Sequence, residues 1–261
     1  MTRCGRFRVV VITGASSGLG AALAAAYAGP GVAMGLIGRD AERLARSAEA
    51  CRAAGADVDS ATIDVADGPA LAAWLEAFDR AHPVELLIAN AGTSAGPDRA
   101  SPGEPMAMTD RQLGTNLIGA VHTIAPLVPL LCERGRGRIV AIASIAAFRG
   151  MPYSPGYCAS KAGLRAYAEA LRPRLAPYGV GVTVVCPGFF SSPMTERWNG
   201  PTPFLLSGER AARRIKRGID GGRRRIDFPW PLVFGMRFCD LAPAVIGDAI
   251  LRRFRFHIRA A

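Results

Sequence analysis

The sequence predicts an α/β fold, a doubly wound parallel sheet with helices on both faces. Two observations support it: strand-like and helix-like patterns alternate through most of the chain, and the strand-like runs are short and apolar throughout. A strand without a polar side is buried on both faces, which is typical of a parallel sheet between two layers of helices.

The predicted elements follow one another from the first strand to residue 228. The strands cover residues 9–12, 32–37, 58–63, 84–89, 138–144, 180–186 and 225–228. The helices cover residues 18–28, 41–54, 69–81, 110–132, 157–175 and 208–220. The 261 residues contain no linker and suit one hydrophobic core, so residues 1–261 are expected to form a single domain, with 229–261 as a C-terminal extension.

Composition narrows the class of protein. Half of the residues are hydrophobic and a fifth are charged, which is typical of a globular chain. The longest apolar stretch, residues 118–131, is interrupted by His122 and two prolines, so no transmembrane helix is expected. The six cysteines form no C-x-x-C pair, which favours reduced thiols and a cytoplasmic location. The three histidines lack metal-ligand spacing, and no metal site is expected.

The formal net charge of +11 is concentrated near the end of the chain. Residues 201–261 hold 13 basic and 5 acidic side chains. Such a tail suits peripheral contact with an anionic membrane or an acidic protein, or it is a solvated face of a segment that packs on its own subunit. No segment interleaves basic and aromatic residues as RNA-binding motifs do, so no nucleic-acid partner is expected.

A glycine-rich turn lies between the first predicted strand and the first helix. Glycine lets the backbone approach a pyrophosphate closely, and the free N–H groups at the helix amino terminus favour its negative charge. In a β-α-β unit such a turn indicates a dinucleotide site. The residues of the turn are Gly14, Ser16, Ser17, Gly18, Leu19 and Gly20.

The end of the second strand is expected to meet the adenosine ribose. A carboxylate at this point binds a 2′-hydroxyl, whereas an arginine binds a 2′-phosphate. The order Gly38-Arg39-Asp40 suggests that Arg39 faces the ribose while Asp40 caps the next helix. NADP(H) is therefore the favoured cofactor, and Asp40 leaves NAD(H) open.

Tyr157 and Lys161 are four residues apart, so they share one face if their segment is helical. Ser144 precedes them at the end of a predicted strand, and Asn116 lies further upstream. A tyrosine needs a nearby positive charge to act as an acid or base around neutral pH, and Lys161 supplies one. It is one of only two lysines among the 32 basic residues, and lysine, unlike arginine, can release a proton.

Together these residues resemble the short-chain dehydrogenase/reductase family, from about residue 9 to residue 194. Two positions depart from the family's pattern: Ala89 stands where a first Asn is frequent, and Ser192 stands where a Thr often contacts the nicotinamide carboxamide. The resemblance also rests on Asp64-Val65, Asn90-Ala91-Gly92 and Pro187-Gly188.

The resemblance implies a Rossmann fold, an NAD(P)-dependent oxidoreductase and a role for each residue. Tyr157 would exchange a proton with the substrate oxygen, which Ser144 would orient. Lys161 would also hold the nicotinamide ribose, and Asn116 would position a water in a proton relay that ends at Lys161. The other residues would border the cofactor, with Asp64 and Val65 at the adenine and Asn90, Ala91, Gly92, Pro187, Gly188 and Ser192 along its length.

The expected substrate is a carbonyl compound or secondary alcohol that is mostly apolar. Residues 191–207 contain Met194, Trp198, Phe204 and Leu206 with few charges, and are predicted to form a lid over it. The resemblance implies a homodimer or homotetramer. Two alternatives stay open: a 3-oxoacyl-[acyl-carrier-protein] reductase, whose acidic partner would suit the basic surface, and a non-catalytic dinucleotide-binding scaffold.

Overall fold

The computed structural model describes residues 7–97, 103–254 and 256–258. Its strands are β1 (Val9–Thr13), β2 (Ala33–Gly38), β3 (Asp57–Thr62), β4 (Leu86–Ala89), β5 (Gly137–Ile142), β6 (Val180–Pro187), β7 (Trp198–Asn199), β8 (Arg225–Phe228) and β9 (His257–Ile258). Seven of them form one parallel sheet in the order β3-β2-β1-β4-β5-β6-β8. The predicted doubly wound sheet in a single domain is confirmed.

The α-helices of the described residues flank this sheet. They are α1 (Gly18–Tyr27), α2 (Ala41–Ala53), α3 (Gly68–Ala81), α4 (Met106–Leu113), α5 (Gly119–Ile124), α6 (Leu127–Glu133), α7 (Pro155–Leu175), α8 (Pro193–Glu196), α9 (Gly208–Asp220), α10 (Trp230–Leu241) and α11 (Ala244–Leu251). Local sequence sets two of the helix starts. Asp40 and Asp67 accept hydrogen bonds from the backbone N–H groups of Arg43 and Ala70 at the starts of α2 and α3.

The two faces of the sheet have separate hydrophobic cores, which explains why its strands are apolar throughout. On β1, Val10 and Ile12 pack in a cluster that includes side chains of α1, α2 and α9. Val11 points the other way, into a cluster with side chains of α3, α5, α6 and α7. Successive side chains of a strand alternate between faces, so both sets must be apolar.

The predicted helical region 110–132 is longer and less regular than expected. It begins at Met106, and a π-helical turn over Gly114–Ile118 separates α4 from α5. The stretch Met106–Glu133 reaches a mean hydropathy of 1.5, and by length and composition it is apolar enough to cross a membrane. In the structure, 44% of its most apolar part is buried, with α4 against α7 and α5 against α3.

The carboxyl-terminal segment folds back onto the domain. The sequence predicted no element after residue 228, whereas the structure has α10, α11 and β9 there. β9 pairs antiparallel with β7, which joins Ile258 to Trp198. The carboxyl-terminal segment therefore packs on its own subunit through its inner side, as one of the two alternatives expected.

Candidate active site

A cavity of about 570 Å³ lies along the carboxyl edge of the sheet, among the loops that follow β1, β2, β4, β5 and β6. Doubly wound sheets bind their ligands at this edge. Two predicted residues are not in its lining: Asp64 pairs with Arg39, and Asn116 follows the lining residue Thr115. The predicted residues that line it are Gly14, Ser16, Ser17, Gly18, Leu19, Gly20, Arg39, Val65, Asn90, Ala91, Gly92, Ser144, Tyr157, Lys161, Pro187, Gly188 and Ser192.

The glycine turn has the shape that a pyrophosphate requires. Gly14 and Gly18 have φ values of 67° and 54°, which side-chain-bearing residues rarely adopt. A Cβ atom on Gly20 would overlap the carbonyl oxygen of Gly14. Ser17 precedes α1 without capping it through its side chain, so the first N–H groups of the helix stay available to a phosphate. The residues present therefore fit a dinucleotide.

Asn90 supports the glycine turn from the neighbouring strand. Its side-chain nitrogen donates hydrogen bonds to the carbonyl oxygens of Thr13 (3.0 Å) and Gly14 (3.2 Å). The packing is close, since a Cβ on Gly14 would lie 2.7 Å from the Cα of Ala91. The turn is thus held by backbone and amide contacts before any ligand binds.

Arg39 lies in the cavity lining directly after β2, half exposed, with its Nη1 atom 3.3 Å from Oδ2 of Asp64. Asp40 caps α2 as the sequence suggested, and its Oδ2 lies 2.7 Å from Nε of Arg43. Hydrogen bonds from Arg43 hold the pKa of Asp40 below its usual value. Arg43 also lines the cavity, and sequence reasoning missed it although its position three residues after Asp40 places it on the same helical turn.

Ser144, Tyr157 and Lys161 lie close together, between the carboxyl end of β5 and the first turns of α7. Ser144 is close enough to Tyr157 to lower the pKa of the phenol, and its Oγ also accepts a hydrogen bond of 3.1 Å from the N–H of Ala146. Lys161 lies one helical turn after Tyr157, and its Nζ donates a hydrogen bond of 2.9 Å to the carbonyl oxygen of Ile142. All three face the cavity that contains the glycine turn.

Burial dominates the protonation of this cluster. It raises the pKa of Tyr157 to about 12, against the hydrogen bond from Ser144, which lowers it. Burial also lowers the pKa of Lys161 to about 8. In the chain itself, desolvation therefore outweighs the acidification of Tyr157 that its spacing from Lys161 predicted.

Asn116 lies in the π-helical turn and is fully buried. Its Nδ2 donates to the Thr93 carbonyl oxygen and to Oγ of Ser160, each at 2.9 Å, and its Oδ1 accepts from the Thr93 N–H at 2.7 Å. Both amide hydrogens are therefore used inside the protein. A π-helical turn inside a helix is frequently found at a functional site.

The loop after β6 closes the cavity on the other side. The Gly188 N–H donates to the carbonyl oxygen of Phe228 at 2.7 Å, and Ser192 caps the short helix α8. A Cβ on Gly18 would lie 3.1 Å from the Cβ of Ser192. The end of β6 is thereby fixed beside the glycine turn.

Within the predicted lid 191–207, some residues reach the cavity and others do not. Met194 and Trp198 line it. Phe204 does not line it and is 56% exposed, and Leu206 instead packs against a core cluster. Assigning Phe204 and Leu206 to the substrate side was therefore wrong, although Pro201 and Pro203, just before them, still line the cavity.

The carboxyl-terminal segment supplies a further part of the lining that sequence reasoning missed. These side chains come from α10, α11 and the chain around β9. They are Pro231, Leu232, Met236, Cys239, Ile250, Leu251, Phe254, Phe256 and Ile258. The only sequence signal for these residues was the spacing of apolar side chains every three to four positions. This spacing does not distinguish a residue of the core from one that lines a cavity.

The arrangement combines a phosphate-binding turn with a phenol, a hydroxyl and an ammonium group in one cavity. Such a set can orient a carbonyl group and exchange a proton with its oxygen. In the described part of the chain, no three His, Cys, Asp or Glu side chains cluster as metal ligands.

Comparisons with known proteins agree with this geometry. The family model described as short chain dehydrogenase matches residues 8–202. An uncharacterized oxidoreductase of Myxococcus xanthus is 36% identical over 250 residues, which are 95% of this chain and 98% of that protein.

Two solved structures extend the comparison. A variant of actinorhodin polyketide ketoreductase with NADPH has a TM-score of 0.77 at 26% identity, covering 87% of this chain and 97% of that one. A short-chain dehydrogenase/reductase from Burkholderia phymatum in complex with NAD has a TM-score of 0.79 at 24% identity and covers both chains completely. The chain belongs to the short-chain dehydrogenase/reductase family, whose members are oxidoreductases that act on carbonyl and CH–OH groups with NAD(P).

Proposed function

We propose that this protein is an NADP(H)-dependent oxidoreductase that interconverts a mostly apolar carbonyl compound and its secondary alcohol. The observation that carries the proposal is the meeting of Ser144, Tyr157 and Lys161 in the same cavity as the glycine turn. A substrate bound in this cavity can then reach a proton donor, a group that orients its carbonyl and the cofactor site.

Proton exchange is assigned to Tyr157, with the bound nicotinamide supplying or accepting the hydride. The phenol gives its proton to the substrate oxygen in reduction and takes one back in oxidation. Ser144 donates a hydrogen bond to the same oxygen and fixes its position. The charge of Lys161, within the same lining, stabilises the phenolate that forms.

Asn116 has a positioning part in this scheme. Its amide hydrogens hold Thr93 and Ser160, so a relay water is assigned to the remaining lone pair of Oδ1 or to backbone oxygens nearby. A Cβ on Gly92 would lie 3.2 Å from Oδ1 of Asn116 and 3.4 Å from Nζ of Lys161. Both atoms therefore border the same small space, which suits a relay between them.

The preference for NADP(H) rests on Arg39. Its guanidinium group is half exposed at the adenosine end and faces the cavity together with Arg43. Two guanidinium groups there favour the 2′-phosphate of NADP(H). Asp64 shares the charge of Arg39, so NAD(H) remains the alternative cofactor. Asp64 and Val65 are assigned to the adenine, and Asn90, Ala91, Gly92, Pro187, Gly188 and Ser192 to the rest of the cofactor.

An apolar substrate is favoured by the wall opposite the cofactor turn. Within the proposed lid 191–207, Met194 and Trp198 provide apolar contacts. The extension 229–261 contributes further apolar side chains, Leu232 and Met236 among them. Apolar walls with a few placed polar groups are typical of sites for small organic molecules.

The alternative activity is reduction of a 3-oxoacyl group on an acyl carrier protein. It is favoured by the likeness to a polyketide ketoreductase and by the net charge of +11, which suits an acidic partner. A non-catalytic scaffold is disfavoured, since it would have no need of the Ser144, Tyr157 and Lys161 cluster.

We place the protein in the cytoplasm as a homodimer or homotetramer, with its carboxyl-terminal helices in contact with an anionic membrane surface. The five cysteines of the described residues are free thiols, which suits a reducing compartment. Leu241 and Val245 are more than 80% exposed, and exposed arginines follow at 252 and 253. Liposome sedimentation tests the contact, because equal recovery in the supernatant for wild type and Leu241→Asp/Val245→Asp would deny it.

A substrate panel tests the proposed function. Apolar ketones, their alcohols and a 3-oxoacyl thioester are incubated with NADPH or NADH, or with the oxidised cofactors for the alcohols, and the absorbance of the reduced nicotinamide is followed. We expect the highest kcat/KM with an apolar ketone and NADPH. Turnover confined to the thioester would favour the alternative activity, and cofactor binding without any turnover would favour the scaffold.

A further inference from the structure

The cavity continues beyond Ser144 and Tyr157 into an apolar space built largely by the end of the chain. We name it the distal chamber. Its wall combines the loop after β6 with the two terminal helices and the residues that follow them. The side chains that define it are Trp198, Leu232, Met236, Leu251, Phe254 and Phe256.

Helix α10 separates the distal chamber from solvent. Leu232, Met236 and Cys239 lie along its inner side and line the cavity. Their spacing of four and three residues places them on one face of a helix. Phe234, on the outer side of the same helix, is 66% exposed and is not in the lining.

The chamber is closed by contacts between segments that are far apart in the chain. Trp198 and Phe256 stack with ring centroids 3.9 Å apart, and Tyr153 meets Phe256 edge-on at 5.6 Å. Next to this stack, Trp198 pairs with Ile258 in the β7-β9 ladder. The end of the chain is thereby joined to the loop that follows the nicotinamide end of the site.

Ion pairs attach both terminal helices to the rest of the domain. Arg149, close after Ser144 in the chain, lies 2.7 Å from the carboxylate of Asp248 on α11. Arg237 on α10 lies 3.1 Å from the carboxylate of Asp227 on β8. Helices α10 and α11 are therefore attached to the edge of the sheet and to the loop that carries Ser144.

Charge is distributed unevenly along the cavity. The adenosine end has Arg39, Asp40 and Arg43 in its lining. The described residues that define the distal chamber include no Asp, Glu, Lys or Arg. An ionised or strongly polar group would lose its hydration there without a partner, whereas a hydrocarbon group gains from burial.

We infer that the distal chamber binds the apolar tail of the substrate, so that the substrate class is a long-chain aliphatic ketone or its secondary alcohol. Leu232 and Met236 then set the chain length that is accepted. The inference rests on the proposed function. Most of the chamber is formed by residues after 202, beyond the segment that the family model matches.

The test is a series of methyl ketones from 2-butanone to 2-dodecanone, assayed with NADPH. Each methylene group that enters the chamber is expected to raise kcat/KM about fourfold until the chamber is full. Met236→Trp fills the chamber, so it should lower kcat/KM for 2-dodecanone at least tenfold relative to 2-butanone. Leu232→Trp provides a second variant. Phe234→Trp, on the outer side of α10, is the matched control and should keep the wild-type profile.

A binding measurement accompanies the kinetics. 2-Dodecanone should raise the Tm of the wild-type protein in the presence of NADPH, and should raise it less in both filled variants; circular dichroism checks their fold. The chamber would be overturned if kcat/KM did not depend on chain length. It would also be overturned if the two tryptophan variants folded and kept the wild-type dependence of kcat/KM on chain length and the wild-type Tm shift. In either case, turnover of 2-butanone would still support the proposed function. Absence of turnover of every ketone, with the Tm shift intact, would instead contradict the proposed function and keep the chamber.

Discussion

The Nζ atom of Lys161 lies 5.9 Å from the centroid of the Tyr157 ring, one turn along the same helix. The ammonium group is anchored by its hydrogen bond to the Ile142 carbonyl oxygen. Lys161 is buried and Tyr157 is partly buried, and desolvation raises the pKa of Tyr157 to about 12 and lowers that of Lys161 to about 8. The site therefore holds a charge that burial disfavours, and this has a measurable effect on stability.

We predict that Lys161 makes a contribution to the free energy of unfolding that rises with pH between about 8 and 10. Lys161 has a pKa of about 8 in the folded state, below the model-peptide value of 10.5. In this window the unfolded chain keeps a proton on Lys161 that the folded chain has released, so the Lys161 contribution rises with pH, by up to about 3 kcal/mol over the full range. Burial raises the pKa values of the Cys158 and Cys186 thiols, which has the opposite effect on stability over the same window. Urea unfolding of wild type and Lys161→Met between pH 7 and 9.5 therefore measures the Lys161 contribution as the difference between the two proteins.

Lys161→Met should abolish most of this rise. Lys216→Met removes the only other lysine of the chain and should leave the rise in place. An equal slope in wild type and Lys161→Met would show that another group causes the pH dependence.

Arg39→Ala is predicted to reduce the preference for NADPH. A charge-assisted hydrogen bond is worth about 1.5–3 kcal/mol, so the KM for NADPH should rise roughly 10- to 100-fold while that for NADH changes little. Arg46→Ala is the control, since Arg46 lies on α2, the helix that follows Arg39, but pairs with Glu42 outside the cavity lining. An unchanged NADPH preference in Arg39→Ala would remove Arg39 from the cofactor site.

Gly20→Ala is predicted to lower both cofactor affinity and Tm. The added Cβ would overlap the Gly14 carbonyl oxygen, so α1 and the glycine turn must move apart. Gly29→Ala is a matched control because a Cβ there meets nothing within 4 Å. Fluorescence titration with NADPH should show at least about tenfold weaker binding for Gly20→Ala only, by analogy with the 1–3 kcal/mol that overpacking costs. Equal affinity in both variants would contradict the assignment of the turn.

Local signals made much of the site predictable from the sequence. The glycine turn, the Asp40 cap and the four-residue spacing of Tyr157 and Lys161 are each encoded within a few residues, and each lies where it was expected. The parallel pairing of the strands follows from the alternation of strands and helices, because parallel strands need crossover connections.

The end of the chain could not be predicted in the same way. β7 and β9 have two residues each, and their pairing joins positions 198 and 258 without a periodic pattern in either segment. Long-range contacts of this kind depend on the whole fold. The raised pKa of Tyr157 was also missed, since desolvation depends on the atoms packed around the phenol rather than on its spacing from Lys161.

Asn116→Leu is predicted to destabilise the protein. It removes three hydrogen bonds and leaves the N–H and carbonyl groups of buried Thr93 without their partner. Because buried polar groups are left unpaired, the free energy of unfolding should fall by roughly 3 kcal/mol. Urea unfolding at pH 7 measures this loss. Asn199→Leu changes an exposed asparagine and should have a small effect; similar losses in both variants would deny the structural role of Asn116.

The most direct test of the central claim is the single-turnover rate of Tyr157→Phe with saturating NADPH and the best ketone of the panel. If the phenol delivers the proton, the rate should fall by about 10²- to 10⁴-fold, while the Kd for NADPH, measured by fluorescence in the same samples, stays within about twofold of wild type because no ionic contact is lost. An unchanged rate with NADPH bound would contradict the account.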